Sequence, residues 1–192
     1  MILTTEQREL RWQLEMVAFM GIHAIEYFNG VTGKGTEFWM FTQNCYGERS
    51  CHLWCQLFNS YNKEPTHYYK LFGNDLLVGL GDSFSYENVK YNVIKSTALD
   101  EKEFVLFRKS VIDFRNKYAA HREYETEAIE FPELNVALEM FHKLRDILSE
   151  TVIAEDNNDD EDLNDLHKYY RENSRIDLTR KCRNDVSAIQ FF

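Results

Sequence analysis

Proline is nearly absent from this chain. Pro65 and Pro132 are its two prolines in 192 residues, so long stretches run with nothing to lock φ or remove an amide donor. With only eight glycines as well, a turn-rich β-sandwich is disfavoured and long helices are favoured. The apolar residues take the matching period. Leu10, Leu14, Val17, Ile22, Ile25 and Phe28 recur at helical steps over about residues 4–28, with Thr4 or Thr5 placed to cap the start. Asn29-Gly30 and Gly33-Lys34-Gly35 end that segment. A second helix is expected from Thr36 to about Tyr61, with Phe38, Phe41, Cys45, Leu53, Leu57 and Phe58 inward and Gly47 weakening its middle. Residues 62–66 read as a loop before a short helix near His67–Phe72. Residues 73–100 are ambiguous between strand and helix, and helix is the reading adopted. Asp100 caps a helix over Glu101–Arg122, where Phe104, Phe107, Val111, Phe114 and Tyr118 repeat at i+3 and i+4. Pro132 sits at the opening of another, which carries Leu134, Ala137, Leu138, Phe141, Leu144, Ile147 and Leu148 to about Ile153. The expected fold is all-α, a helical bundle formed by residues 1–154.

Composition narrows the function classes. At 44% hydrophobic and 15% aromatic the chain can fill a core. It has no run of about 18 uncharged apolar residues, so no membrane span is expected. Its N-terminus lacks an apolar signal region, which makes the cytoplasm the expected location. A net charge of −10 is wrong for a general nucleic-acid coat, yet a local basic cleft is compatible with it. The acids concentrate in Glu155–Asp162, which reads as a solvated linker. Leu163–Cys182 then reads as a polar helix, so 155–192 is an acidic linker with a C-terminal helical extension. Cys45, Cys51 and Cys55 lack a standard zinc spacing and sit among Trp54, Leu57 and Phe58, as small core residues do. Neither a metal nor a cofactor is expected. His67-Tyr68-Tyr69 and the tryptophans Trp12, Trp39 and Trp54 read as packing residues.

The chemistry-bearing stretch is Arg115-Asn116-Lys117-Tyr118-Ala119-Ala120-His121. A guanidinium can neutralise charge on a phosphoryl transition state, and a histidine moves protons near neutral pH. Two alanines leave a low surface that a helix or a phosphate backbone can approach, and Lys117, Arg122 and Arg108 add positive charge. On a straight helix, positions six apart differ by about 9 Å along the axis and about 120° around it. Arg115 and His121 therefore do not share one stripe, and a twofold axis beside the helix would bring two such pairs into one groove. The structural alternative pairs Arg115 with a carboxylate such as Glu123 or Asp113 and leaves His121 capping a helix end.

Phe114–Glu123 (FRNKYAAHRE) resembles the signature of HEPN domains, in particular the abortive-infection U-type subgroup. Cys51-His52-Leu53-Trp54-Cys55-Gln56-Leu57-Phe58 and Thr66-His67-Tyr68 resemble that subgroup's Trp-Cys-x-x-Phe and Thr-His-aromatic landmarks. The resemblance spans roughly residues 5–150 in element order. It implies an all-α bundle that forms a homodimer and a metal-independent endoribonuclease active on RNA, acting as a toxin or phage-defence effector. Arg115 and His121 match the motif's defining residues, and Asn116 its polar second position; Lys117, Arg122 and Arg108 have supporting roles. A cognate antitoxin, of the nucleotidyltransferase type or another, is the implied protein partner. Some such toxins carry a tyrosine two residues after the histidine that the antitoxin modifies with AMP; here Glu123 stands there and Tyr124 follows. The spacing from Arg115 to His121 is also one residue longer than in that subgroup. A non-catalytic helical dimer that binds RNA or a protein is the alternative function.

Overall fold

The computed structural model describes residues 3–33, 35–60, 62–73, 77–119 and 130–156. His121, Arg122, Tyr124 and residues 157–192 lie outside them. The described residues are mostly helical and contain no strand: α1 (Thr5–Val31), α2 (Glu37–Phe58), α3 (Tyr69–Phe72), α4 (Tyr86–Lys95), α5 (Glu101–Phe114) and α6 (Leu134–Asp156). Two short 3₁₀ turns, Val78–Leu80 and Asp82–Phe84, precede α4, and a π turn, Arg115–Ala119, follows α5. The ambiguous stretch before residue 100 is thus helical, in short pieces.

The caps explain where the helices start. Thr4 accepts from the Gln7 amide while the Gln7 side chain accepts from the Thr4 amide, and Asp100 and Glu103 make the same reciprocal pair before α5. Ser85 caps α4 and Thr36 caps α2. Each satisfies an amide that the first turn would otherwise leave open.

The core centres on Trp54, which is fully buried on α2. Its indole N–H points at Met140 Sδ of α6, 3.2 Å away, and its ring meets Phe107 of α5 edge-on at 5.5 Å and Phe58 at 5.6 Å. One side chain therefore holds three helices together. Two glycines allow further close approach. A Cβ on Gly21 would lie 2.5 Å from the Phe141 ring, which locks α1 against α6. A Cβ on Gly47 would lie 2.2 Å from the Phe131 ring, which also packs on Phe28 and Phe114. The glycine that seemed to weaken α2 is the seat for an aromatic from the far side of the bundle.

Three expectations are corrected. Phe38 and Phe41 are 64% and 69% exposed and Cys45 is exposed too, because the buried residues of α2 run only from Gly47 to Phe58. Trp12 is 57% exposed on α1, so it does not share the packing role of Trp54. Glu155, the first residue of the acidic run, is not solvated. It lies on α6 with its side chain only 6% exposed and accepts from Arg8 Nε (2.8 Å), Arg11 Nη1 (2.9 Å) and the Leu3 amide (3.1 Å). Helix α6 therefore continues past residue 154 to Asp156. Burial acts to raise this carboxyl's pKa, but the donors from Arg8, Arg11 and Leu3 outweigh it and hold the group below the usual glutamate range.

Trp54→Ala should cost about 3–5 kcal/mol, the range for deleting a large buried aromatic, read as a lower midpoint in chemical denaturation. Glu155→Gln should cost about 1–3 kcal/mol at pH 7, as for lost hydrogen bonds to a charged group. Because the folded pKa is depressed, the carboxylate's contribution is present above the ordinary glutamate value of about 4.3 and lost as pH falls through the folded value. The stability gap between wild type and Glu155→Gln should close on acidification; a gap constant from pH 7 to pH 3 would contradict this account.

Candidate active site at the α2–α5 seam

Helix α5 does not continue straight through the motif. It gives way after Phe114 to the π turn, so the straight-helix geometry expected over Glu101–Arg122 stops where the motif begins. Phe114 is buried against Phe131, and the wider turn starts at the next residue, Arg115. Wide turns of this kind often mark functional positions because they re-aim side chains.

Arg115 is partly exposed and faces α2. Its Nε and Nη2 donate to Asn116 Oδ1 at 3.3 and 3.0 Å. Its Nη1 lies 3.6 Å from Glu64 Oε1, in the loop after α2, and its guanidinium is within hydrogen-bonding reach of the Cys55 thiol. Among the described residues the carboxylate beside Arg115 is therefore Glu64, while Asp113 is exposed and Glu123 lies outside them. Asn116 is exposed and Lys117 partly exposed. Arg108, one heptad earlier on α5, donates from Nη2 to the Asn59 carbonyl at 2.8 Å, where it closes the C-terminal end of α2. Its sequence-assigned role as a substrate cation thus coexists with a capping role.

The structure brings together the two stretches that carried the HEPN resemblance. Trp54-Cys55 and Arg115-Asn116 face one another across the α2–α5 seam, with Trp54 turned into the core and Cys55 turned to the arginine. His67 and Tyr68 are buried and stacked at 4.8 Å, and the Tyr68 amide donates to the Leu57 carbonyl. They brace the end of α2, in keeping with a packing role. Burial, with Lys70 nearby, lowers the His67 pKa to about 4.

Two residues at the seam were given no role by the sequence. His52 stands one turn before Cys55, half-buried; burial first, then Arg115 and Arg49, hold its pKa below the ordinary histidine value against an opposing pull from Glu64. Glu64 is the carboxylate that shares Arg115. A readable signal did exist: His52 and Asn59, like Arg108 and Arg115, are spaced by seven, which puts each pair on one helix stripe. Among the described residues no group of three or more His, Cys, Asp or Glu side chains could hold a metal. No helix among them is long and apolar enough to cross a membrane.

No protein-family model, curated protein or solved structure matches the chain. The functional argument therefore stands on the site itself.

Burial pushes the Cys55 thiol up to about 11 against the opposing pull of Arg115, and burial, with Cys55 and Glu48 nearby, raises Cys51 further. Thiolate is the reactive form, so both should resist alkylation by iodoacetamide at pH 8 in the folded protein, whereas exposed Cys45 should react. Peptide mass spectrometry before and after denaturation reads this directly, and labelling of Cys55 in the native state would refute it.

Proposed function

We propose that this chain is a metal-independent endoribonuclease of the HEPN type, working as a homodimer and serving as a toxin or phage-defence effector. The observation that carries the reading is the convergence of Arg115 and Asn116 with the Trp54-Cys55 stretch: two patches more than fifty residues apart in sequence meet at one partly exposed seam. Arg115 has the character the chemistry needs. It is accessible, it is oriented by Asn116, and its 3.6 Å approach to Glu64 is longer than a charge-assisted hydrogen bond, so a phosphate can replace the carboxylate.

In this mechanism Arg115 neutralises the charge that develops on the scissile phosphate and Asn116 holds the guanidinium. His121, which lies outside the described residues, takes a proton from the ribose 2′-hydroxyl or gives one to the departing 5′ oxygen. Lys117 and Arg122 hold the RNA backbone. A partner protein acts as antitoxin, with Tyr124 the residue open to modification by a nucleotidyltransferase. A second reading, a non-catalytic helical dimer, is favoured by the contacts Arg115 already makes to Glu64 and Asn116.

Cleavage of tRNA or total RNA in EDTA separates the two. Under the nuclease reading, His121→Ala and Arg115→Ala each lower the rate by about 10²–10⁴-fold with the thermal midpoint nearly unchanged. Under the second, the wild-type protein leaves RNA intact and the substitutions alter little beyond stability.

A further inference from the structure

Helices α2 and α5 set a second histidine against the arginine of the seam. The Arg108–Asn59 hydrogen bond fixes one point of their register. One heptad back along α2 from Asn59 is His52, and one heptad forward along α5 from Arg108 is Arg115. Each step is about 10.5 Å of helix and returns to nearly the same stripe. Helices packed with opposite chain direction therefore bring His52 to the level of Arg115. An independent contact agrees with this register: Arg115 reaches Cys55, one turn from His52 on the same helix.

The surroundings differ from those of the other three described histidines. His23 lies on α1 between the rings of Phe19 and Tyr27, His67 is buried behind Tyr68 with Lys70 and Arg108 nearby, and His142 lies on α6 beside Glu139, Arg145 and Asp146. His52 is half-buried. The charged groups around it are Arg49 on its own helix, Arg115 on the π turn, and Glu64 in the loop after α2. Arg49 is exposed and its guanidinium lies 3.9 Å from Met20 Sδ of α1, a second cation near His52 on the α1 side of α2.

We propose that His52 is the general base of the nuclease reaction proposed above, taking the ribose 2′-hydroxyl proton beside the phosphate that Arg115 holds. The inference rests on that reading of the site. As the proton moves to the imidazole, the 2′ oxygen bonds to phosphorus and the P–O5′ bond breaks. The products are a 2′,3′-cyclic phosphate and a 5′-hydroxyl, whose proton comes from His121 in the second of the two roles given to it above. A base must be unprotonated to act, and burial together with two flanking guanidinium groups keeps His52 neutral at pH 7. Base and phosphate-binding group then belong to one chain, even where a dimer completes the cleft.

The test is the pH dependence of cleavage of a mixed-sequence oligoribonucleotide in EDTA, with full-length wild type, His52→Ala, His52→Gln and Arg115→Ala. Wild type should show an acid limb of unit slope in log kcat/KM, ending below the ordinary histidine value of about 6.5. Both His52 variants should lose that limb and fall by about 10²–10⁴-fold at pH 7. Arg115→Ala should lose rate but keep an acid limb. His52→Gln covers the outcome in which alanine disturbs packing, since it fills similar space and cannot titrate. Cleavage by the His52 variants at wild-type rate, with the limb intact, overturns this inference and leaves the proposed function standing. A wild-type protein that does not cleave RNA overturns both.

Discussion

The packing of Trp54 is the constraint on which the rest depends. A buried indole contacting Met140, Phe107 and Phe58 leaves little freedom in how α2 lies against α5 and α6, because close-packed cores tolerate few alternative arrangements. Fixing α2 by one face also fixes its opposite side, since helical positions rotate together. With Trp54 inward, Cys55 and His52 are carried to the edge where α5 ends. The core and the candidate site are thus two faces of one placement.

The seam gains its character from how α5 ends. Arg115 still has helical backbone angles (φ −56°, ψ −44°) and opens the π turn, so it keeps the α5 stripe while the residues after it change course, and it is left partly open beside Glu64 and Cys55. A guanidinium there is oriented but not locked. Asn116 holds it at hydrogen-bond distance, while Glu64 approaches without forming a tight ion pair. That combination suits an exchangeable anion, because a fully paired arginine would have to surrender strong bonds before binding one.

The fold was largely legible from the residues. Apolar spacing marked α1, α5 and α6, and Thr4, Thr36 and Asp100 announced their helices through side chains that capping chemistry selects. Sequence periodicity failed where it could not see neighbours. Phe38 and Phe41 have the right spacing for a core face, but burial needs a second surface, and the buried part of α2 begins only at Gly47. Glu155 looked like one more solvated acid because its partners Arg8 and Arg11 lie at the other end of the chain. Of the candidate site, Arg115 and Asn116 were legible from the motif. The π turn was not, since Arg115–Ala119 contains neither glycine nor proline to announce a change of winding. His52 and Glu64 were missed because their relevance comes from a contact between helices.

The Glu155 clasp has a topological meaning beyond its energy. By binding the Leu3 amide from near the end of α6, it places the first and last described turns of the bundle side by side. The two ends of the described bundle, Leu3 and the last turn of α6, are therefore neighbours. A pull on either flank loads the two arginine contacts first, before it reaches the aromatic core. A short bridge between residues 3 and 156, with new ends opened between the exposed Asn62 and Lys63, would leave the packing around Trp54 unchanged.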